Sequence, residues 1–214
     1  PESDYRYLDF GFDFYAAQFA ANVGDPDKAI LIAWIGLPDN HYCTEPEDWE
    51  GSMCLPRELR IKDGHIVQAP VAEIASLRDG EVEANGNLPD FCEMEVANAG
   101  GDFFLNLYTK ADGTGGVTMK YDDATKILTV DKTGMDNRFN ENVGEVLEVP
   151  LERPLENIRI FIDRCSFELF INDGDATFTS HIYPTADEHH YTISDNGSVK
   201  IYALKASVTD EFVI

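Results

Sequence analysis

The chain has 214 residues, 43% of them hydrophobic and 11% aromatic, enough apolar side chain to bury a core and too much for a disordered polymer. Forty Asp and Glu against 16 Lys and Arg give a formal net charge of -24, a field that repels phosphate backbones and anionic lipid and so excludes nucleic acid and membrane surfaces as natural partners. No apolar run approaches the ~20 residues of a membrane span.

The pattern is β throughout. "FDFYAAQFA" and the short apolar run "ILIAWI" (residues 30 to 35) read as two strands, joined across a turn at Asn22 to Asp27. "SMCLPRELRI", the turn Lys62-Asp63-Gly64 and "HIVQAPVAEI" make a second hairpin, in which Pro56 predicts an edge or a bulge. Four strands in sequence match one propeller blade, a unit that normally packs on its neighbours.

Residues 76 to 90, "SLRDGEVEANGNLPD", are polar and broken by glycine and proline, which marks a boundary. The expected division is 1–78 for the blade, 79–89 for a linker and 90–214 for a second domain. Beyond the boundary come "FCEMEVANA", "DFFLNLYTKADG", "GGVTMKYDDATKILTVDKTG", "GEVLEVPLE" and "NIRIFID", the last placing Ile158, Ile160 and Ile162 on one face and Arg159 on the other. "CSFELFI" turns at Asn172-Asp173-Gly174 into "ATFTSHIYP", and "YTISDNGSVKIYAL" is expected to close a last hairpin through Asn196-Gly197. Short strands between turn signals predict an antiparallel β-sandwich, so the fold class is all-β.

The four cysteines, Cys43, Cys54, Cys92 and Cys165, are scattered and read as free, partly buried thiols suited to a reducing compartment such as the cytoplasm. His189-His190 with His181 is the only histidine grouping, and its spacing suits no metal. Asp163, Arg164, Glu168 and Asp173 fall at strand ends or outward positions and read as solvated groups. Arg57 and Glu58, adjacent on a strand, point to opposite faces and read as structural.

In a continuous strand Asp13 and Tyr15 share one face, with Phe12, Phe14 and Ala16 on the other. Sugar hydroxyls would satisfy that carboxylate and phenol, with Trp34 of the partner strand covering a sugar's apolar face. Backbone groups would satisfy them equally.

"LDFGFDFYAAQFA", "ILIAWIGLPD", "MCLPRELRIKDGHIVQAPVAEI" and "CSFELFINDGDATFTSHIYP" resemble, in order and over most of the chain, glycoside hydrolase family 32, in particular its bacterial sucrose and sucrose-6-phosphate hydrolase branch. The resemblance implies the last blade of a five-bladed β-propeller followed by the family's C-terminal β-sandwich. It implies retaining, cofactor-free hydrolysis of terminal β-fructosyl bonds in sucrose, sucrose 6-phosphate or short fructo-oligosaccharides. Such chemistry needs two carboxylates ~5 Å apart.

The family's nucleophile (Asn-Asp-Pro-Asn-Gly), stabiliser (Arg-Asp-Pro) and acid/base (Glu-Cys) motifs are absent from these 214 residues. "GDP" at 24 to 26 has Gly in place of Arg, and the cysteines follow Tyr42, Met53, Phe91 and Arg164. The expectation is therefore the C-terminal portion of a longer hydrolase, with no catalytic residue of its own and inactive alone. Asp13, Tyr15 and Trp34 are its substrate-binding candidates. The alternative is a non-catalytic sandwich serving interaction or carbohydrate binding, and the incomplete propeller edge would favour self-association.

Overall fold

Alternating apolar residues and closely spaced turn signals give sixteen β-strands among the described residues, with three short 3-10 segments and no α-helix. The computed structural model describes residues 6–21, 24, 28–139 and 144–206. The expected turn from Asn22 to Asp27, apart from Gly24, lies outside them, as does most of "GDP".

The first sheet comprises β1 (Tyr15–Phe19), β2 (Ala29–Ile35), β3 (Ser52–Met53), β4 (Arg57–Lys62) and β5 (His65–Pro70), in the order β1-β2-β4-β5 with β3 also on β2. The expected strand "SMCLPREL" is split: Pro56 has no N–H for the ladder, and the break falls between β3 and β4. Asp63 (φ 52°) and Gly64 (φ 83°) take the left-handed conformation that a two-residue hairpin turn requires. Along β2 burial alternates, with Leu31, Ala33 and Ile35 in a small core beside Cys54 and Leu59 while Ile30, Ile32 and Trp34 lie half-buried on the opposite face.

The remaining strands build a sandwich. β6 (Arg78–Val82), β7 (Phe91–Asn98), β12 (Asn157–Asp163), β13 (Ser166–Ile171), β14 (Ala176–His181) and β16 (Gly197–Leu204) form a six-stranded sheet ordered β14-β13-β12-β7-β16-β6. It faces a five-stranded sheet of β8 (Phe103–Thr109), β9 (Gly116–Asp122), β10 (Ile127–Gly134), β11 (Val146–Pro150) and β15 (His190–Ile193), ordered β11-β10-β9-β8-β15. The inward residues interdigitate as in other stacked sheets: Met94, Ile158, Ile160, Ile162, Phe167 and Leu169 from one side meet Leu105, Leu107, Met119, Tyr121 and Leu128 from the other.

Two expectations are corrected here. Part of the expected linker, residues 79–82, lies in strand β6, which starts at Arg78 and pairs with β16. Its register is pinned by Arg78, which reaches across to Glu93 and Glu95 and stacks at 3.8 Å on the Tyr202 ring between them. Glu93 is fully buried. Burial alone would raise its carboxyl, but hydrogen bonds from Arg78 and Arg159 hold it below the ordinary value. The second correction concerns "YTISDNGSVKIYAL", which is no hairpin: β15 pairs with β8 and β16 with β7, in opposite sheets. Asn196 fixes this crossing by donating to Asn98 Oδ1 and to the carbonyls of Gly100 and Asp102.

Candidate functional site

The first sheet docks on the outer face of β13 and β14, whose residues are all buried because both faces are covered. Residues 9 to 13 run along the β14 edge, with Phe10 N donating to Thr177 O and Asp13 N to Thr179 O. This segment hides an edge that would otherwise offer unpaired backbone groups. Its geometry changes what the sequence suggested. Phe12 enters the sandwich core, edge-on to Phe178 at 5.4 Å, whereas Phe14 packs into the first sheet's core.

Asp13 therefore does not share an open face with Tyr15. The strand alternation expected through residue 13 fails because β1 begins only at Tyr15, and Asp13 lies fully buried in the seam between first sheet and sandwich. Its Oδ1 accepts from the Tyr42 hydroxyl at 2.8 Å, and its Oδ2 from His181 N at 2.9 Å and Ser180 Oγ at 3.3 Å. These are backbone and side-chain partners of the kind that compete with a sugar, and they occupy both oxygens. Burial and the neighbouring Asp13 raise the Tyr42 phenol, so it remains the donor.

The other two candidates do come together. Tyr15 and Trp34 are cross-strand partners, with ring centroids 6.1 Å apart and planes at 73°. Tyr15 is 48% exposed. The Trp34 indole lies where a Cβ on Gly51 would stand 1.9 Å from Nε1 and one on Gly36 2.4 Å from Cε2, so both glycines are needed for its placement. The pair forms a fixed aromatic corner on the outward face of the first sheet, a surface suited to the apolar face of a sugar ring.

The seam holds a second charged cluster whose members the sequence suggested separately or not at all. Arg57 is fully buried. It donates to Asp9 Oδ2 at 2.9 Å, to Glu168 Oε2 at 2.6 Å and to Thr179 Oγ1 at 2.5 Å, with the Phe14 and Phe170 rings on its flanks at 4.8 and 5.2 Å. Burial opposes its charge, yet Glu168 and Asp9 raise its affinity for the proton above that of a free guanidinium. Glu168, expected to be a solvated group, is 4% exposed: β13 is covered on both faces, and the outward position the alternation gave it faces the docked sheet. Asp163, Arg164 and Asp173 are exposed as expected.

Lys132 of β10 is buried as well, donating to Ser180 Oγ at 3.0 Å and His181 O at 3.2 Å, with Asp13 Oδ2 at 3.9 Å. Burial lowers its ammonium to about 8, against the pull of Asp13. The His181 ring bridges the seam, Nδ1 lying 2.9 Å from Cys165 O and Nε2 2.8 Å from Ile35 O. A neutral imidazole donates to only one of these carbonyls.

Chemically, this seam is a fastening. Its carboxylates are tied to Arg57, Tyr42 and backbone. Among the described residues no group of three or more His, Cys, Asp or Glu side chains is placed to hold a metal ion, and the four thiols are unpaired. Burial pushes the Cys54 thiol up to about 11 and the Cys92 thiol up to about 12. Among the described residues no helix is long and apolar enough to cross a membrane.

Comparison with known proteins places this architecture. Residues 1–70 match the family model "Glycosyl hydrolases family 32 N-terminal domain", and residues 64–210 match "Glycosyl hydrolases family 32 C terminal". The sucrose-6-phosphate hydrolase of Vibrio alginolyticus is 32% identical over 200 residues, covering 92% of this chain and 40% of that protein. The structure of sucrose-6-phosphate hydrolase from Lactobacillus gasseri superposes with a TM-score of 0.84 at 27% identity, over 92% of this chain and 42% of that one. A β-fructofuranosidase of Bombyx mori superposes at 0.74 with 25% identity, over 97% and 44%. The chain spans about two fifths of the length of the curated relatives it matches.

Proposed function

The chain belongs to glycoside hydrolase family 32, and from that premise we propose that it forms the C-terminal portion of a retaining β-fructofuranosidase acting on sucrose or sucrose 6-phosphate. The observation that carries this reading is the match over nearly the whole chain to sucrose-6-phosphate hydrolases, with both family domains represented in order. The first sheet is then the last blade of a propeller, and the sandwich is the domain that fastens it. The nucleophile and the acid belong to sequence outside these residues, and the 214 residues alone turn over no substrate. Tyr15 and Trp34 line the sugar subsite, the indole covering an apolar ring face while the phenol donates or accepts at a hydroxyl. Asp13 acts behind them, holding the strand against the sandwich.

Released glucose, or glucose 6-phosphate, measured with each substrate tests the reading. The full-length protein carrying this chain hydrolyses at least one of them, and Trp34→Ala raises KM or lowers kcat/KM by about tenfold. Turnover by the 214 residues alone, or a Trp34→Ala enzyme with unchanged kinetics, removes the corresponding part of the proposal.

A second reading has its own observation. Phe19, Met53 and Ile61 of the first sheet are 64%, 62% and 81% exposed, apolar surface that favours association through the blade. Gel filtration separates this from a simple monomer.

A further inference from the structure

At one end of the sandwich a cleft of about 750 Å³ opens between Pro89-Asp90, the β12–β13 turn at Arg164 and the segment from Tyr183 to His189. Its size falls in the range of small-molecule sites. Tyr108 lines it, and three features mark this residue's placement. Alternation along β8 sends Phe103, Leu105 and Leu107 inward, so Tyr108 should point out, yet it is 4% exposed. Its φ is +59°, a left-handed conformation costly for a bulky residue, at the point where the β8–β15 register slips between His190 and Tyr191. Its hydroxyl is buried without a hydrogen-bond partner. A bulge that strains the backbone to bring a phenol into a cleft, and then leaves the phenol unpaired, is the signature of a group kept for a ligand.

The walls are prebuilt. Glu188, 1% exposed, accepts from Asp136 N and Thr185 N, and Leu88 N donates to His189 O, so the segment facing Tyr108 is held by its own bonds. At the mouth the Arg164 guanidinium rests 4.9 Å over the Phe91 ring and makes no ion pair among the described residues. Its backbone N donates to Asp90 O, which brings the Asp90 side of the cleft close to the guanidinium. A guanidinium donor, a carboxylate acceptor and a phenol that does both stand around the prolines Pro89 and Pro184 and the Tyr183 ring. Hydroxyl groups on an apolar ring match that mixture. An anionic ligand does not, since Asp90, Glu188 and the net charge of -24 oppose it.

We propose that this cleft binds a neutral saccharide unit, with the Tyr108 hydroxyl and Arg164 as its hydrogen-bonding contacts. The site needs neither the missing catalytic motifs nor the Tyr15–Trp34 corner, so it stands apart from the hydrolase reading.

Calorimetric titration of the chain with fructose, glucose, sucrose and sucrose 6-phosphate tests it, in the parent and in the variants Tyr108→Phe, Arg164→Met and Trp34→Ala. Binding of at least one sugar is expected, weakened about fivefold to tenfold by Tyr108→Phe and by Arg164→Met and still measurable in Trp34→Ala, which reports on the blade subsite separately. The sugar-free melting temperature of Tyr108→Phe should stay level or rise, because the variant deletes a hydroxyl that has no partner. If that variant fails to fold, Arg164→Met, an exposed position, decides alone. Three results overturn the proposal: no sugar binding, binding abolished by Trp34→Ala yet retained in the two cleft variants, or binding restricted to phosphorylated sugars. The second of these would leave the subsite at Trp34 standing.

Discussion

Arg57 ties two buried carboxylates of the seam, Asp9 and Glu168, to one guanidinium. Replacing it by Met leaves Asp9 and Glu168 buried beside one another without their cation, and removing one partner of a buried ion network typically costs about 3–5 kcal/mol. Arg57→Met should lower the urea midpoint accordingly, and Arg57→Lys should recover only part, since an ammonium cannot fork between two carboxylates. A loss under about 1 kcal/mol would mean the network is already solvated. Lys132 gives a prediction with a pH signature. Its folded value, about 8, lies below the 10.5 of a free lysine, so between those pH values the unfolded chain binds the extra proton and stability rises with pH. Lys132→Met lacks that slope. Relative to the parent, the variant should lose ground as pH climbs from 8 towards 10.5; comparing the two proteins cancels the opposing titration of the thiols and phenols. A pH-independent difference would refute the depressed lysine. Arg57 read as structural in the sequence, but its burial left no mark there, and Lys132 left none at all. "LPREL" and "TVDKTG" read as ordinary strand segments, because a charge buried by a partner sheet looks the same in sequence as one facing water.

At the level of elements, the hairpins were legible where glycine or a broken ladder leaves a local mark: Lys62-Asp63-Gly64, Asn172-Asp173-Gly174 and the interruption at Pro56 all appear where the residues demand. What escaped were partnerships set by distant segments. Strand β6 depends on Arg78 meeting Glu93, and the β15–β16 crossing depends on the bonds from Asn196; neither leaves a local periodicity. The contact between first sheet and sandwich is of this kind, and it rests on two glycines. A Cβ on Gly11 would stand 1.9 Å from Thr179 O, and one on Gly174 1.8 Å from Gln68 O. Gly174→Ala thus adds a backbone clash to left-handed strain, whereas Gly64→Ala, at φ 83° with nothing within 4 Å, adds the strain alone. The expected losses are about 1 kcal/mol for Gly64→Ala and at least about 2 kcal/mol for Gly174→Ala. Calorimetry of the second should also broaden the transition or split it, as the sheet lifts from the sandwich. Equal losses would show that the turn can yield without disturbing the seam.

The two parts of the molecule are unequal in what they bury. The sandwich closes a continuous core of inward residues from both sheets, while the first sheet encloses only Leu31, Ala33, Ile35, Cys54 and Leu59 and leaves Phe19, Met53 and Ile61 in the open. A few strands with so small a core are marginal by themselves, because the apolar area removed from water does not offset the lost chain entropy. Their order comes instead from the seam, where Arg57, Asp13, Tyr42 and the His181 bridge meet β13 and β14. The dependence should therefore run in one direction. Residues 78–206 expressed alone should fold, with dispersed amide resonances and a cooperative melt, even though the outer face of β13 and β14 becomes exposed. Residues 6–77 alone should not fold, giving a collapsed amide spectrum and no cooperative transition. In the intact chain the first sheet should never outlast the sandwich, so amide exchange in β2 and β4 should be no slower than in β12 and β13. A folded 6–77 fragment, or slower exchange in β2 than in β12, would place the source of stability in the sheet itself and reduce the seam to a contact between independent parts.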